Sequence, residues 1–218
     1  MRAAARELLA DAEPTGRSWP ERFLYAPIAR LLAPPLLDRS VEASWPRVAS
    51  LLCALIGAAG FWFGWLWTGL GFLLVSGPLS AIAARIDLAH LRYPERHWEP
   101  RFGRGVALGL ALVALGKHLA VETGDRVHFF AAAAAVAALL LALRERRAAR
   151  KATGGAAPHE TWLAGIEPGL WLLPPFAAAG YWEYWLPTLA AYAAISIFIW
   201  QDTVEAALQR TPAELQQD

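Results

Sequence analysis

The sequence predicts an all-α membrane protein: six transmembrane helices preceded by an N-terminal interfacial amphipathic helix. Three observations predict it. Apolar residues make up 56% of the 218-residue chain and charged residues only 18%, against roughly 45–50% and 25% in ordinary soluble domains. The charges are clustered, so that Val48 to Ala84, 37 residues, contain no Asp, Glu, Lys or Arg. The basic residues fall almost entirely on one side of the expected spans. One crossing takes about 20 residues of helix, so the uncharged run predicts two spans and a tight turn.

Each element follows in order. Residues 1–20 form a polar N-terminal segment, with a short helix near Ala3–Ala12 and a break at Pro14, Gly16 and Pro20. The membrane domain covers 21–203, and 204–218 is a polar tail. Within 21–37, Arg22 and Arg30 are interleaved with apolar residues and Pro27, Pro34 and Pro35 interrupt the run. That pattern predicts a short helix lying on the membrane with its arginines toward the headgroups, because the prolines break a full span.

Span 1 is expected from Pro46 to Phe63 and span 2 from Leu66 to Leu88. Trp62, Trp65 and Trp67 around the turn suit the aromatic belt of the far interface. Ser76, Gly77, Pro78 and Ser80 interrupt span 2. They predict a proline kink satisfied by neighbouring helices or a break that lines a cavity. A charged loop, His90 to Arg104, leads to span 3 at Gly105–Val121 and, after a short turn, to the alanine-rich span 4 at Val127–Leu143. Span 5 is expected at Trp162–Gly180, bent at Pro174–Pro175, and span 6 at Tyr184–Trp200. The turn between them holds Glu183, expected to be exposed among belt aromatics Tyr181, Trp182, Tyr184 and Trp185.

Charge placement sets the orientation. Of the 20 Lys and Arg, 18 lie before span 1, in the two long loops or in the tail, and only Lys117 and Arg126 lie on the other side. The positive-inside rule places both termini in the cytoplasm. No signal peptide is recognisable at the start of the sequence, and a bacterial inner membrane is the expected location. Cys53, the single cysteine, lies within an apolar run and reads as a small packing residue. No ionisable residue is expected at mid-bilayer, which argues against a proton-coupled transporter or ion channel. Nothing supports nucleic-acid binding, and no nucleotide-binding glycine motif is present.

From Phe23 to Ala89 the segments follow a suggestive order. FLYAPIARLLAPPLLDRSV leads into WPRVASLLCALIGAAGFWFGWLWTGLGFLLVSG and then AARIDLAHLR. This resembles the CDP-alcohol phosphatidyltransferase family, which has a juxtamembrane helix, six spans and cytoplasmic ends. The family signature, D-x2-D-G-x2-A-R-x8-G-x3-D-x3-D, supplies four aspartates that hold divalent cations against a diphosphate. Such chemistry needs hard oxygen ligands. With Ala84–Arg85 as the A-R pair, the aspartate positions are Gly77, Ser80, Trp98 and Phe102; with Ala89–His90 they are Ile82, Arg85, Gly103 and Ala107. Asp87 is the only aspartate between Asp38 and Asp125. The resemblance therefore implies a degenerate member, tied to phospholipid metabolism and acting as a lipid-binding or partner subunit. Membrane lipids, a second copy of the chain or an active relative would be its partners.

Two alternatives remain open: a transferase using a non-standard site, and an unrelated six-span scaffold or carrier. For the first, Asp87 and His90 share a helical face and are the candidate catalytic residues. With Glu95 and Glu99, and His97 nearby, they are also the candidate ligands for Mg or Mn, the only cofactors considered. The bland reading of this loop is a solvated, charge-balanced segment. Arg85, Arg92, Arg96, Arg101 and Arg104 are the candidate phosphate-binding residues, because guanidinium forks match phosphate oxygens. Basic residues beside spans also attract anionic lipid without specificity.

Overall fold

In a computed structural model the described residues are 19–89, 99–152 and 169–209, and among them every element is helical. A wide π-helical turn, Glu21–Tyr25, opens into α1, Ala26–Asp38. The long helices α2 (Ser44–Trp62), α3 (Leu66–Ala89), α4 (Glu99–Thr123) and α5 (Val127–Ala152) follow. A six-residue helix, α6 (Leu173–Ala178), precedes the last one, α7 (Trp182–Gln209).

Among the described residues three segments are long and apolar enough to cross a membrane: Ser44–Trp62, Leu66–Asp87 and Val106–Thr123. Val127–Leu141 is a shorter apolar helix. Their outward residues are the kind lipid accepts and water does not. Val48, Leu52, Val75 and Leu110 are each about half exposed, where burial in hydrocarbon would otherwise be lost at about 25 cal/mol per Å².

The helices pack in the spatial order α1, α3, α2, α4, α5, α7. Small residues allow the tightest of these approaches. On α2, Gly57 and Gly60 lie against the backbone of Gly69 in α3, so a Cβ on Gly60 would come within 2.8 Å of the Gly69 Cα. Gly116 of α4 faces Ala132 of α5 in the same way, at 2.4 Å. One continuous core runs from Phe61 and Leu73 through Leu112 and Leu115 to Leu173, Trp185 and Leu186. Trp182 closes the bundle at one end, with ring contacts to Phe61 and Trp67.

That end holds the three short turns. After α2 the chain reverses at Gly64 (φ 81°), and Trp65 donates its N–H to the Gly60 carbonyl at 2.8 Å. After α6 the same cap forms at Gly180 (φ 78°), with Tyr181 bonding to the Phe176 carbonyl. A positive φ carries little steric cost in glycine, and this bond satisfies a terminal carbonyl. At the third turn, the Asp125 Oδ1 accepts the Val127 N–H at 2.8 Å and caps α5. Phe63, Trp65 and Trp67 beside the first turn, and Tyr181 and Tyr184 beside the last, are exposed.

Several expectations need correction. Pro34 and Pro35 lie inside α1 and do not end it. The carbonyls they leave without a helical donor belong to Arg30 and Leu31, both exposed. The helix is also tied to protein: Tyr25, Ala29 and Ala33 are buried, the two alanines in a cluster with Ile82 and Ile86 of α3. Arg22 and Arg30 do point outward, beside exposed Phe23 and Leu31. Pro174 and Pro175 sit in the first turn of the six-residue α6, where a missing N–H costs no helical bond, and the helical residues 169–170 end just before it. The residues expected to begin span 5, 162–168, lie outside the described ones. Of the aromatics around Glu183, Trp182 and Trp185 turn inward and are buried, while Glu183 is partly covered. The three-residue spacing of the two tryptophans places them on one inward helical face.

Candidate functional site

Because α2 and α3 are antiparallel, the first turn of one meets the last turn of the other. There Arg47 and Asp87 form an ion pair. Asp87 is 5% exposed, and the Arg47 side chain is 21% exposed. A buried carboxylate without a counter-charge would be strongly destabilising; the guanidinium neutralises it and closes the helix pair.

This arrangement decides how the expected ligands stand. Asp87 turns inward to α2, where Arg47 takes its carboxylate. His90, Arg92, Glu95, Arg96 and His97 lie outside the described residues, so the grouping of Asp87 with His90 and Glu95 lies there too. The backbone places Glu99, Arg101 and Arg104 in the first two turns of α4. Arg85 is half-buried on α3, two residues before Asp87, and is engaged in an interaction. Among the described residues no three His, Cys, Asp or Glu side chains come together as a metal-binding group.

Arg47 was legible in the sequence only as one charge among those that set orientation. The signal that identifies it is its position. It immediately precedes the 37-residue uncharged run, and Arg85 and Asp87 follow that run directly. Charges that flank a two-helix hairpin meet when the hairpin closes.

Halfway along α3, a second polar cluster surrounds Pro78. Proline has no N–H for the carbonyl four residues earlier. The Ser76 hydroxyl donates to the Leu73 carbonyl at 2.6 Å, and the Ser50 hydroxyl of α2 donates to the Ser76 carbonyl at 2.6 Å. Both serines are buried. The turn before Pro78 is thus bonded from within α3 and from the neighbouring helix.

Beside it, at Gly77, lies an aromatic junction. Tyr25 is 3% exposed, and its ring sits on Gly77, where a Cβ would be 2.4 Å from the ring. Its hydroxyl accepts the indole N–H of Trp171 at 2.7 Å. Trp19 packs edge-on against Trp171, with ring centroids 6.3 Å apart. At the opposite end of the bundle, Lys117 lies 4.0 Å above the Trp62 ring, and His118 pairs with Glu122 at 3.2 Å. These are contacts an interfacial lysine makes while its charge stays near water.

Comparison with models of known protein families finds no match, and comparison with curated proteins finds none either.

Proposed function

We propose that the protein is a six-span integral membrane protein of phospholipid metabolism with both termini in the cytoplasm, built on a CDP-alcohol phosphatidyltransferase-like scaffold. In this reading it lacks metal-dependent transfer and serves as a lipid-binding or partner subunit. The carrying observation is the Arg47–Asp87 pair. A carboxylate already neutralised by an arginine and nearly closed to solvent is a poor ligand for a hard cation, which needs several oxygens and accessible coordination positions. The signature positions offer no aspartate to replace it.

The lipid-binding role draws on Arg85, Arg92, Arg96, Arg101 and Arg104, which the sequence puts at the end of span 2 and in the loop that leads to span 3. Phosphate-bearing headgroups suit them, through forked hydrogen bonds and attraction of about 1 kcal/mol per basic residue near an anionic leaflet. Self-association, or pairing with an active relative, would give such a subunit its place in a membrane assembly. A bacterial inner membrane suits the orientation.

Purified protein is tested for Mg²⁺- or Mn²⁺-dependent release of CMP from CDP-diacylglycerol, alongside binding to nanodiscs of anionic or zwitterionic lipid. No CMP release and preferential anionic-lipid binding are expected. Metal-dependent release that disappears in Asp87→Ala would replace this reading with that of an active transferase. Absence of any lipid preference would favour a plain scaffold or carrier.

A further inference from the structure

We propose that the N-terminal helix is a strap that holds the proline site of α3 in one conformation, with Tyr25 as its latch. This inference concerns the mechanics of the bundle and does not rest on the lipid chemistry proposed above.

The strap has a defined beginning. The π-helical turn Glu21–Tyr25 spaces its hydrogen bonds one residue wider than an α-helix, and such turns rotate side chains relative to a regular helix. The side chain at its end is Tyr25, buried on Gly77 and bonded to Trp171. One phenol thereby joins three parts of the chain, two of them 146 residues apart. Gly77 makes room for it, since a Cβ there would overlap the ring.

The strap then follows only one half of α3. Beyond Gly77, Ala29 and Ala33 share a buried cluster with Ile82 and Ile86, and Asp87 comes next in the chain. The first half of α3 is held by α2 alone among these contacts, through Gly57, Gly60 and Gly69, while the second half meets α2 through the Arg47–Asp87 pair as well as the strap. Pro78 separates the two halves and has no N–H for the helical ladder. An element that grips one side of such an interruption, and locks its own end at the interruption, sets the angle between the halves. It also sets where Asp87 meets Arg47. Releasing Tyr25 removes the lock while leaving the α2 contacts of the first half intact.

The test measures the position of each half against one fixed point. In a Cys53→Ala background, nitroxide labels are placed at Leu140→Cys on α5 and at either Ala84→Cys or Thr68→Cys on α3. All three native residues are exposed. Pulsed electron spin resonance in nanodiscs reads the two distances. Ala84 is six residues beyond Pro78, about 9 Å of helix, so a swing of roughly 20° moves it by about 3 Å. Tyr25→Ala is expected to shift or split the Ala84–Leu140 distance and to leave Thr68–Leu140 unchanged. An unchanged Ala84–Leu140 distribution overturns the proposal. Should Tyr25→Ala disturb both distances, Tyr25→Phe decides, because it keeps the ring and removes the hydroxyl that bonds to Trp171. Broadening confined to the Ala84 pair supports the latch, and two unchanged pairs reject it.

Discussion

Arg47 and Asp87 face each other across the ends of two antiparallel helices, and Asp87 has almost no contact with solvent. Removing Arg47 leaves the buried Asp87 carboxylate without this counter-charge, and removing Asp87 takes the carboxylate away from Arg47. Such losses cost about 3–5 kcal/mol. Asp87→Ala and Arg47→Ala should each lower the unfolding temperature in detergent markedly, and the double variant should lose much less than the sum of the two losses. Additive losses would mean that the two charges are not coupled. The Arg47→Met/Asp87→Leu pair, which replaces both charges by apolar groups, should recover most of the stability, because a well-packed apolar pair can equal a buried ion pair.

The glycines between α2 and α3 make a second prediction. Gly69 lies where a Cβ would come within 2.8 Å of the Phe61 ring and 2.9 Å of the Gly57 carbonyl oxygen. The backbone contact cannot yield as a flexible side chain can. Gly69→Leu should therefore force the helices apart and destabilise by at least the 1–3 kcal/mol typical of overpacking. Gly71, three-dimensionally open on the same helix, provides the control. Gly71→Leu should be tolerated, and equal losses at both positions would contradict the packing described.

The hydroxyl stitching at Pro78 is a third. Ser50→Ala removes a donor from a carbonyl, and Ser76→Ala removes one from another. Each bond is worth about 0.5–1.5 kcal/mol. The losses should not add, because both bonds involve Ser76, one through its carbonyl and one through its hydroxyl. A double-alanine variant that loses the simple sum, measured by reversible unfolding in detergent, would show that the two bonds act independently.

The helices were legible in the sequence because length and apolar character are local properties. The uncharged run from Val48 to Ala84 became α2 and most of α3, with the turn at Gly64. Segments whose structure depends on neighbours were less legible. Pro34 and Pro35 look like breakers in isolation, yet α1 continues through them while its opposite face is held by α3. Trp182 and Trp185 match belt aromatics in composition, and only the packing of α7 shows that they point inward. The same limit applied to the site. Asp87 could be singled out by its rarity, but its partner is 40 residues away on another helix, and Arg47 resembles any other flanking charge until the hairpin closes.

The proposed six-span arrangement makes the last prediction, and its last two crossings are the critical part. Gly64, Gly124 and Gly180 mark turns at one end of the bundle, while Glu42, Arg144 and Glu205 lie on segments that the basic-residue distribution assigns to the cytoplasm. Single cysteines at Phe63, Arg126 and Ala179, all exposed, should react in spheroplasts with a membrane-impermeant maleimide in the Cys53→Ala background. Cysteines at Glu42, Arg144 and Glu205 should react only after permeabilisation. Four crossings instead of six would make Ala179 behave like Glu205, with both protected in intact spheroplasts. The Phe63 and Arg126 results would then stand unchanged, because they depend only on the first four helices. The Ala179 measurement therefore separates a six-span bundle from a four-span one whose final helix packs against it from the cytoplasmic side.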